Sequence, residues 1–239
     1  MDIFLDSMQE AARLLVSGDG YVWEILLLSL RVSGLAVLSG LLIGLPIGIG
    51  VGLTRFPGRG FVIALIHTGF ALPPVVVGLF VYMAFSRAGP AGNLELLFTP
   101  TAMVLAQTLL AAPYVAGISM AAVQAVPPDV RLQARALGAS RGRALLTHLA
   151  EARLGLFAAV VAGFGAVISE VGAVMMVGGN IAGETRVMTT AIVLETRRGN
   201  FATALAFGLV LLLLAFTVNA LLTRAQQAQA GRVFARPLE

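Results

Sequence analysis

Long apolar runs separated by short polar clusters dominate the chain. Five of them are long enough to cross a bilayer: Val32 to Leu53, Phe61 to Phe85, Thr101 to Val126, Leu154 to Ala182 and Phe201 to Thr223. A hydrocarbon core of about 30 Å takes about 20 helical residues at about 1.5 Å each, and a helix satisfies its own backbone hydrogen bonds in lipid. The pattern predicts an all-α polytopic membrane protein, a single domain over 1–239 with about five transmembrane helices. The first span is expected to begin earlier than Val32, near Tyr21 to Trp23, whose rings suit the membrane interface. Residues 2 to 16 set Leu5, Met8, Ala12 and Leu15 on one face and Asp2, Asp6, Gln9 and Arg13 elsewhere, which predicts an interfacial helix within 1–20. The acids Asp2, Asp6 and Glu10 speak against a cleavable leader.

Composition strengthens this reading. Hydrophobic residues make up 58% of the chain and charged ones 12%, with a mean hydropathy of +0.92, too little polar surface to coat a soluble globule. A net charge of +4 and a pI near 10.6 would suggest nucleic acid in a soluble domain. Here the basic residues lie between apolar runs and report orientation instead. There is no lysine, so arginine supplies all 16 basic residues. Ten cluster after the first, third and fifth runs, and five on the other side, with Arg31 near that side's membrane face. This asymmetry predicts an extracytoplasmic N-terminus and a cytoplasmic C-terminus, with a tail over 224–239. The absence of cysteine leaves no disulfide or thiolate metal chemistry.

Within the runs, Gly40, Gly44, Gly48, Gly50 and Gly52 invite close helix packing. Pro73 and Pro74 interrupt the second run, as a kink or as a moving element beside a pathway. The most informative polar stretch, 127–150, follows the third run. Two prolines precede Asp129, which can cap a short helix from Val130 to Leu137; Gly138 supplies a stop, and a second short helix is expected from Ser140 towards His148.

Within it, Ala134-Arg135-Ala136-Leu137-Gly138-Ala139-Ser140-Arg141 resembles the "EAA" loop of the inner-membrane permeases of ATP-binding-cassette importers. The resemblance implies a MetI-like fold in which this helix docks into a groove on a cytoplasmic ATPase. Small Ala134 and Gly138 would permit close approach, and the arginines can pair with acidic groups on the partner. The position at which the family usually carries the loop's glutamate is Leu132, and its later proline position falls near Glu151. Leu72 to Gly78 and Ile168 to Arg186 are further similar to the tungstate and molybdate permeases of that family, the similarity running from about Ser29 to Asn219. A homodimer, a partner ATPase holding ATP and Mg, and an extracytoplasmic oxyanion-binding protein are what this resemblance implies, with transport by alternating access. Sulfate or another small anion is the alternative substrate.

Glu170 is the one acid within the apolar runs, where a carboxylate costs about 3 kcal/mol or more on insertion scales. It is expected to accept hydrogen bonds from a neighbouring helix or pair with an arginine, with gating as the alternative. Gly178-Gly179-Asn180 and Gly183 read as an outer turn whose backbone amides could meet an anion, or as a tight turn and nothing more, and Pro73, Pro74, Glu170, Gly172, Gly179, Asn180 and Thr185 are the candidates for a pathway or gate. Arg186, Arg197 and Arg198 are the candidate contacts for a binding protein. His67 reads as a hydrogen-bonded packing residue, Gln107 and Asn219 as links between helices, and Arg31 as a snorkelling side chain.

Two other classes of function compete with this one. An intramembrane enzyme would pair Glu170 with His148 or His67, but His148 belongs to the basic loop while Glu170 lies within a span. A membrane scaffold that transports nothing gives no reason for the docking loop. Without any Gly-Lys-Ser/Thr sequence the chain carries no phosphate-cradling ATP loop, so no cofactor is expected on it.

Overall fold

The computed structural model describes residues 5, 8–10, 12, 13 and 20–234. Of the interfacial helix expected within 1–20, Leu5, Met8 to Glu10, Ala12 and Arg13 are described and helical; the rest lies outside the described residues, as do residues 235–239 of the expected tail.

The described residues contain helices and no strand. In chain order they form α1 (Gly20–Leu53), α2 (Arg59–Phe70), α3 (Pro74–Phe85), α4 (Pro100–Ala125), α5 (Asp129–Ala136), α6 (Arg141–Ile168), α7 (Gly172–Gly178), α8 (Met188–Arg197) and α9 (Phe201–Phe234). Four are long and apolar enough to cross a membrane singly, and α2 with α3 form a fifth candidate bent by 102°.

The glycines of α1 set the central contact. Gly40, Gly44, Gly48 and Gly52 recur every fourth residue and face α4. A Cβ at Gly40 would lie 2.8 Å from the Ala111 side chain, one at Gly44 2.6 Å from the Ala112 carbonyl, and one at Gly48 would run into the Ala116 carbonyl. The two backbones touch where no side chain fits. Gly50, on another face, meets nothing.

Two predicted spans turn out to be broken helices. The second bends at Leu72-Pro73, with Pro74 opening α3 in the first helical position, where its missing N–H leaves no bond unmade. Contacts at its two ends decide whether it crosses. Arg59 lies beside Val123 and His148 at the end of α4, whereas Tyr82 in the last turn of α3 packs edge-on against Phe98 (6.4 Å between rings), which donates its N–H to Val177 O (2.8 Å) at the opposite end of the bundle. The bent pair therefore joins the two ends of the bundle, as a broken span does. The predicted fourth run likewise divides. α6 ends at Ile168, Ser169 and Glu170 break it, and the short α7 carries the rest of the apolar run, α6 alone being long enough to cross. The short helix expected from Ser140 to His148 is the first part of α6, since nothing interrupts the chain between Arg141 and Ile168. The fifth helix continues past the expected Thr223 boundary to Phe234.

Candidate functional site

The 127–150 stretch, expected to dock on an ATPase, sits at the C-terminal end of α1. Asp129 lies in the first turn of α5, where its charge complements the helix dipole; the expected capping role falls instead to Pro128, whose position carries no side-chain bond. At the other end Leu137 N–H donates to Gln133 O, Gly138 N–H to Arg135 O and Ala139 N–H to Ala134 O. Gly138 turns the chain at φ 86°, and Ser140 Oγ then accepts from Arg143 N–H (3.3 Å) to cap α6. No residue of α5 is buried. Leu137 is 90% exposed and Leu132 63%, while Arg135, Ala136 and Arg141 are exposed and Ala134 and Ala139 half-buried. Ala134, Leu137, Gly138 and Ala139 line one concavity of about 460 Å³. Two leucines held out on a short helix beside arginines form an adhesive patch with no partner in the monomer.

His148 anchors the root of this loop. Its Nε2–H donates to Val123 O (2.8 Å), a carbonyl that would ordinarily receive the N–H four residues on. That residue is Pro127, which has none. The imidazole thus replaces the bond that the proline removes, and it is 1% exposed. His148 and the end of α6 are 20 residues apart on one straight element, about 30 Å, so His148 and Glu170 cannot form a catalytic pair.

At the break between α6 and α7, Glu170 is 8% exposed. Its Oε1 accepts from Ala173 N–H (2.9 Å), capping α7, and its carbonyl accepts from Thr189 Oγ1 (2.9 Å) on α8. Among the described residues it pairs with no arginine. The neighbouring-helix bond therefore reaches its backbone, and its carboxylate serves the turn. Gly172 and Gly78 let α7 lie against α3: a Cβ at Gly172 would approach Val75 Cγ2 to 2.6 Å, and one at Gly78 Ala173 Cα to 2.8 Å. Pro73, Pro74, Glu170 and Gly172 are thereby brought to one junction. Beside it Ser29, Ser33, Gln107, Glu170 and Thr189 surround a buried cavity of about 10 Å³, room for about one water. Gln107 Nε2 donates to Val167 O (3.0 Å), linking α4 to α6 as expected, while its Oε1 is buried without a partner.

The far end of α7 carries the outer turn. Gly179 and Asn180 have φ of 71° and 55°, and buried Thr185 donates to Gly178 O (2.5 Å) and accepts from Ile181 N–H (2.9 Å). The N–H groups of Glu184, Thr185 and Arg186 all donate to Ile181 O and that of Gly179 to Met175 O, so these four are spent within the turn. Arg186 clamps it: Nε donates to Asn180 Oδ1, Nη2 to Asn180 O, and Nη1 to Tyr21 Oη (2.6 Å) on α1. Arg198 pairs with Glu195 (2.9 Å); Arg197 is exposed and makes no such bond among the described residues. His67 is exposed against Phe70, with no hydrogen bond, and Asn219 bonds Ala215 O within its own helix; neither does what was expected of it. Arg31 is exposed.

Tyr21 and the outer turn mark one end of α1, and Thr54 with the docking loop marks the other, about 50 Å away along 34 residues. A lipid-spanning bundle with a stapled turn at one end and an unpartnered amphipathic helix at the other has the makings of a transporter's membrane component. Residues 44–234 match the family described as binding-protein-dependent transport system inner membrane component, and the chain belongs to that family. It is 46% identical over 217 residues to a probable anion ABC transporter permease protein of Haloferax volcanii, covering 89% of this chain and 94% of the other. It is 37% identical to a tungstate uptake system permease protein of Peptoclostridium acidaminophilum, covering 95% and 100%. The fold is similar to an inward-facing methionine ABC transporter, MetNI, with a TM-score of 0.70 at 22% identity over 90% and 96% of the two chains.

Proposed function

We propose that this chain is the membrane-spanning half of an ATP-driven importer for a tetrahedral oxyanion, tungstate first and molybdate next. The observation that carries the substrate is the end-to-end similarity to a tungstate uptake permease, which leaves no segment of that protein unmatched. Two copies flank the pathway, and two ATPases hold the ATP and Mg. An extracytoplasmic binding protein delivers the anion to the end that carries Arg186, Arg197 and Arg198. The docking-loop end faces the cytoplasm, in keeping with the arginines gathered there.

The mechanism follows from the contacts. α5 stands free of the bundle core and is fastened to it through α6, whose root His148 ties to α4. An ATPase that grips Leu132 and Leu137 therefore pushes on α6 and α4 together. The strain arrives at the Glu170 break, where α6 gives way to α7, and α7 lies against the bent second span at Gly78 and Gly172. Breaks at Pro73-Pro74 and at Glu170 are hinges between stiff helices, the kind of joint that absorbs such a displacement. Selectivity among tungstate, molybdate and sulfate is assigned chiefly to the binding protein.

The test is ATP hydrolysis in proteoliposomes holding the chain, its ATPase and its binding protein. Tungstate stimulates turnover at lower concentration than molybdate, and sulfate does not. Stimulation by sulfate alone would replace the substrate; stimulation by no oxyanion would remove the reading.

A further inference from the structure

We propose that the docking-loop end of this chain holds an anionic phospholipid, its phosphate on Arg55, Arg59 and Arg131 and an acyl chain in the apolar cavity beside them. Two adjoining cavities make the site. One, of about 330 Å³, is lined by those three arginines at the meeting of α1, α2, α4, α5 and α6. The other, of about 580 Å³, has a mainly apolar surface, from Ile49, Leu53, Leu132 and Leu145 among others, with Arg131, Arg135 and Arg141 also on its wall. They share Leu53, Thr54, Pro128 and Arg131 as a common wall. No aspartate or glutamate lines either one.

The three cations are not spent on the protein. Arg55 and Arg131 make no hydrogen bond or ion pair among the described residues, and Arg59 uses only Nε, which donates to Val51 O (2.9 Å) and holds its guanidinium at the end of α1. Three guanidinium groups around one concavity repel each other until an anion joins them, and phosphate oxygens match their forked donors. The general excess of arginine on one side of a membrane protein accounts for their number but not for their convergence from the loop after α1, from α2 and from α5. The ends of α1 and α4 place the pocket at headgroup depth, where basic pockets between spans meet lipid phosphates. The adjoining apolar cavity favours a lipid over a free oxyanion, which would leave that surface unused. Because Arg131 belongs to α5, a bound phosphate would tie the docking helix to the spans; this consequence rests on the coupling role proposed above, whereas the binding itself does not.

The test is native mass spectrometry of the full-length chain in neutral detergent, titrated with phosphatidylglycerol or phosphatidylcholine. One phosphatidylglycerol per chain is retained and phosphatidylcholine is not. Arg55→Gln with Arg131→Gln weakens retention about thirtyfold, while Arg55→Lys with Arg131→Lys retains most of it. Leu145→Trp, which fills the apolar cavity without touching charge, also weakens it, and so keeps the test alive should the glutamine pair fail to fold. Equal retention of the two lipids, or wild-type retention in both the glutamine pair and Leu145→Trp, overturns the site. Inorganic phosphate or tungstate that displaces the lipid and binds Leu145→Trp as well as wild type makes it a free-anion site instead. Loss of the lipid from the wild-type chain on assembly with the ATPase assigns the cavity to that protein. A working importer with no retained lipid sinks this proposal and leaves the transport reading standing.

Discussion

His148 Nε2–H lies 2.8 Å from the carbonyl oxygen of Val123, occupying the bond that Pro127 cannot supply. Removing the imidazole leaves a buried carbonyl unpaired, a loss of about 1 to 3 kcal/mol, and opens a cavity as well. His148→Ala is expected to lower the melting temperature in detergent and weaken ATPase assembly, whereas His148→Gln, whose amide can donate to the same oxygen, recovers part of both. Equal stability of the two variants would show that packing, not the bond, holds the loop root.

The glycine seam between α1 and α4 predicts a sharp contrast between neighbours in sequence. Gly48→Leu must separate the helices or bend side chains against the Ala116 carbonyl, at about 1 to 3 kcal/mol or more. Gly50→Leu, two residues away and facing open space, is expected to leave stability near wild type. Thermal unfolding of the two variants in the same detergent checks the pair.

Glu170 serves as an acceptor for the Ala173 N–H. Glu170→Gln keeps an oxygen in place, so assembly and uptake are expected within about twofold of wild type; Glu170→Leu loses the cap, worth about 0.5 to 2 kcal/mol, and leaves a buried amide unpaired. Oxyanion uptake and size-exclusion profiles of the two variants separate a capping role from one that needs the negative charge. Loss of uptake in Glu170→Gln with intact assembly would assign the charge a gating role.

At the end of the bundle opposite α5, Arg197 is exposed and makes no hydrogen bond or ion pair among the described residues, whereas Arg186 and Arg198 are engaged within the chain. Charge reversal at Arg197 is expected to weaken binding-protein docking about tenfold with no change in thermal stability, and reversal at Arg186 to disturb both. Binding of the loaded binding protein to nanodiscs measures the difference.

Much of this was legible in the chain because lipid imposes a length and a composition on every crossing. The runs located the four long crossing helices and the bent pair, and the prolines, Asp129 and Gly138 located the short helix that follows the third run. The breaks at Pro73 and Glu170 were visible as residues, but not the 102° bend or the separation of α6 from α7, since a bend angle depends on what packs against it. Hydropathy could not show that α6 begins in the loop at Arg141, because a polar helical turn outside the membrane looks like a separate element. The pairing of His148 with Val123 joins residues 25 apart. Its signal was the missing N–H of Pro127, but nothing in the chain says which side chain supplies the replacement. Arg186 read as a contact for a binding protein from its place after the glycine-rich turn; its bonds to Asn180 and Tyr21 are tertiary and leave no mark in the sequence.

Exposed Leu137, at the end of α5, tests the account most directly, and it does so better than a substitution at Gly138, whose φ of 86° would strain any larger residue and confuse folding with docking. Leu137→Asp should leave the chain inserted and as stable as wild type, because the side chain is exposed and lines neither cavity of the lipid site, while abolishing co-purification of the ATPase and tungstate-stimulated ATP hydrolysis in proteoliposomes. Undiminished co-purification and stimulated hydrolysis in that variant would contradict the assignment of α5 as the coupling element.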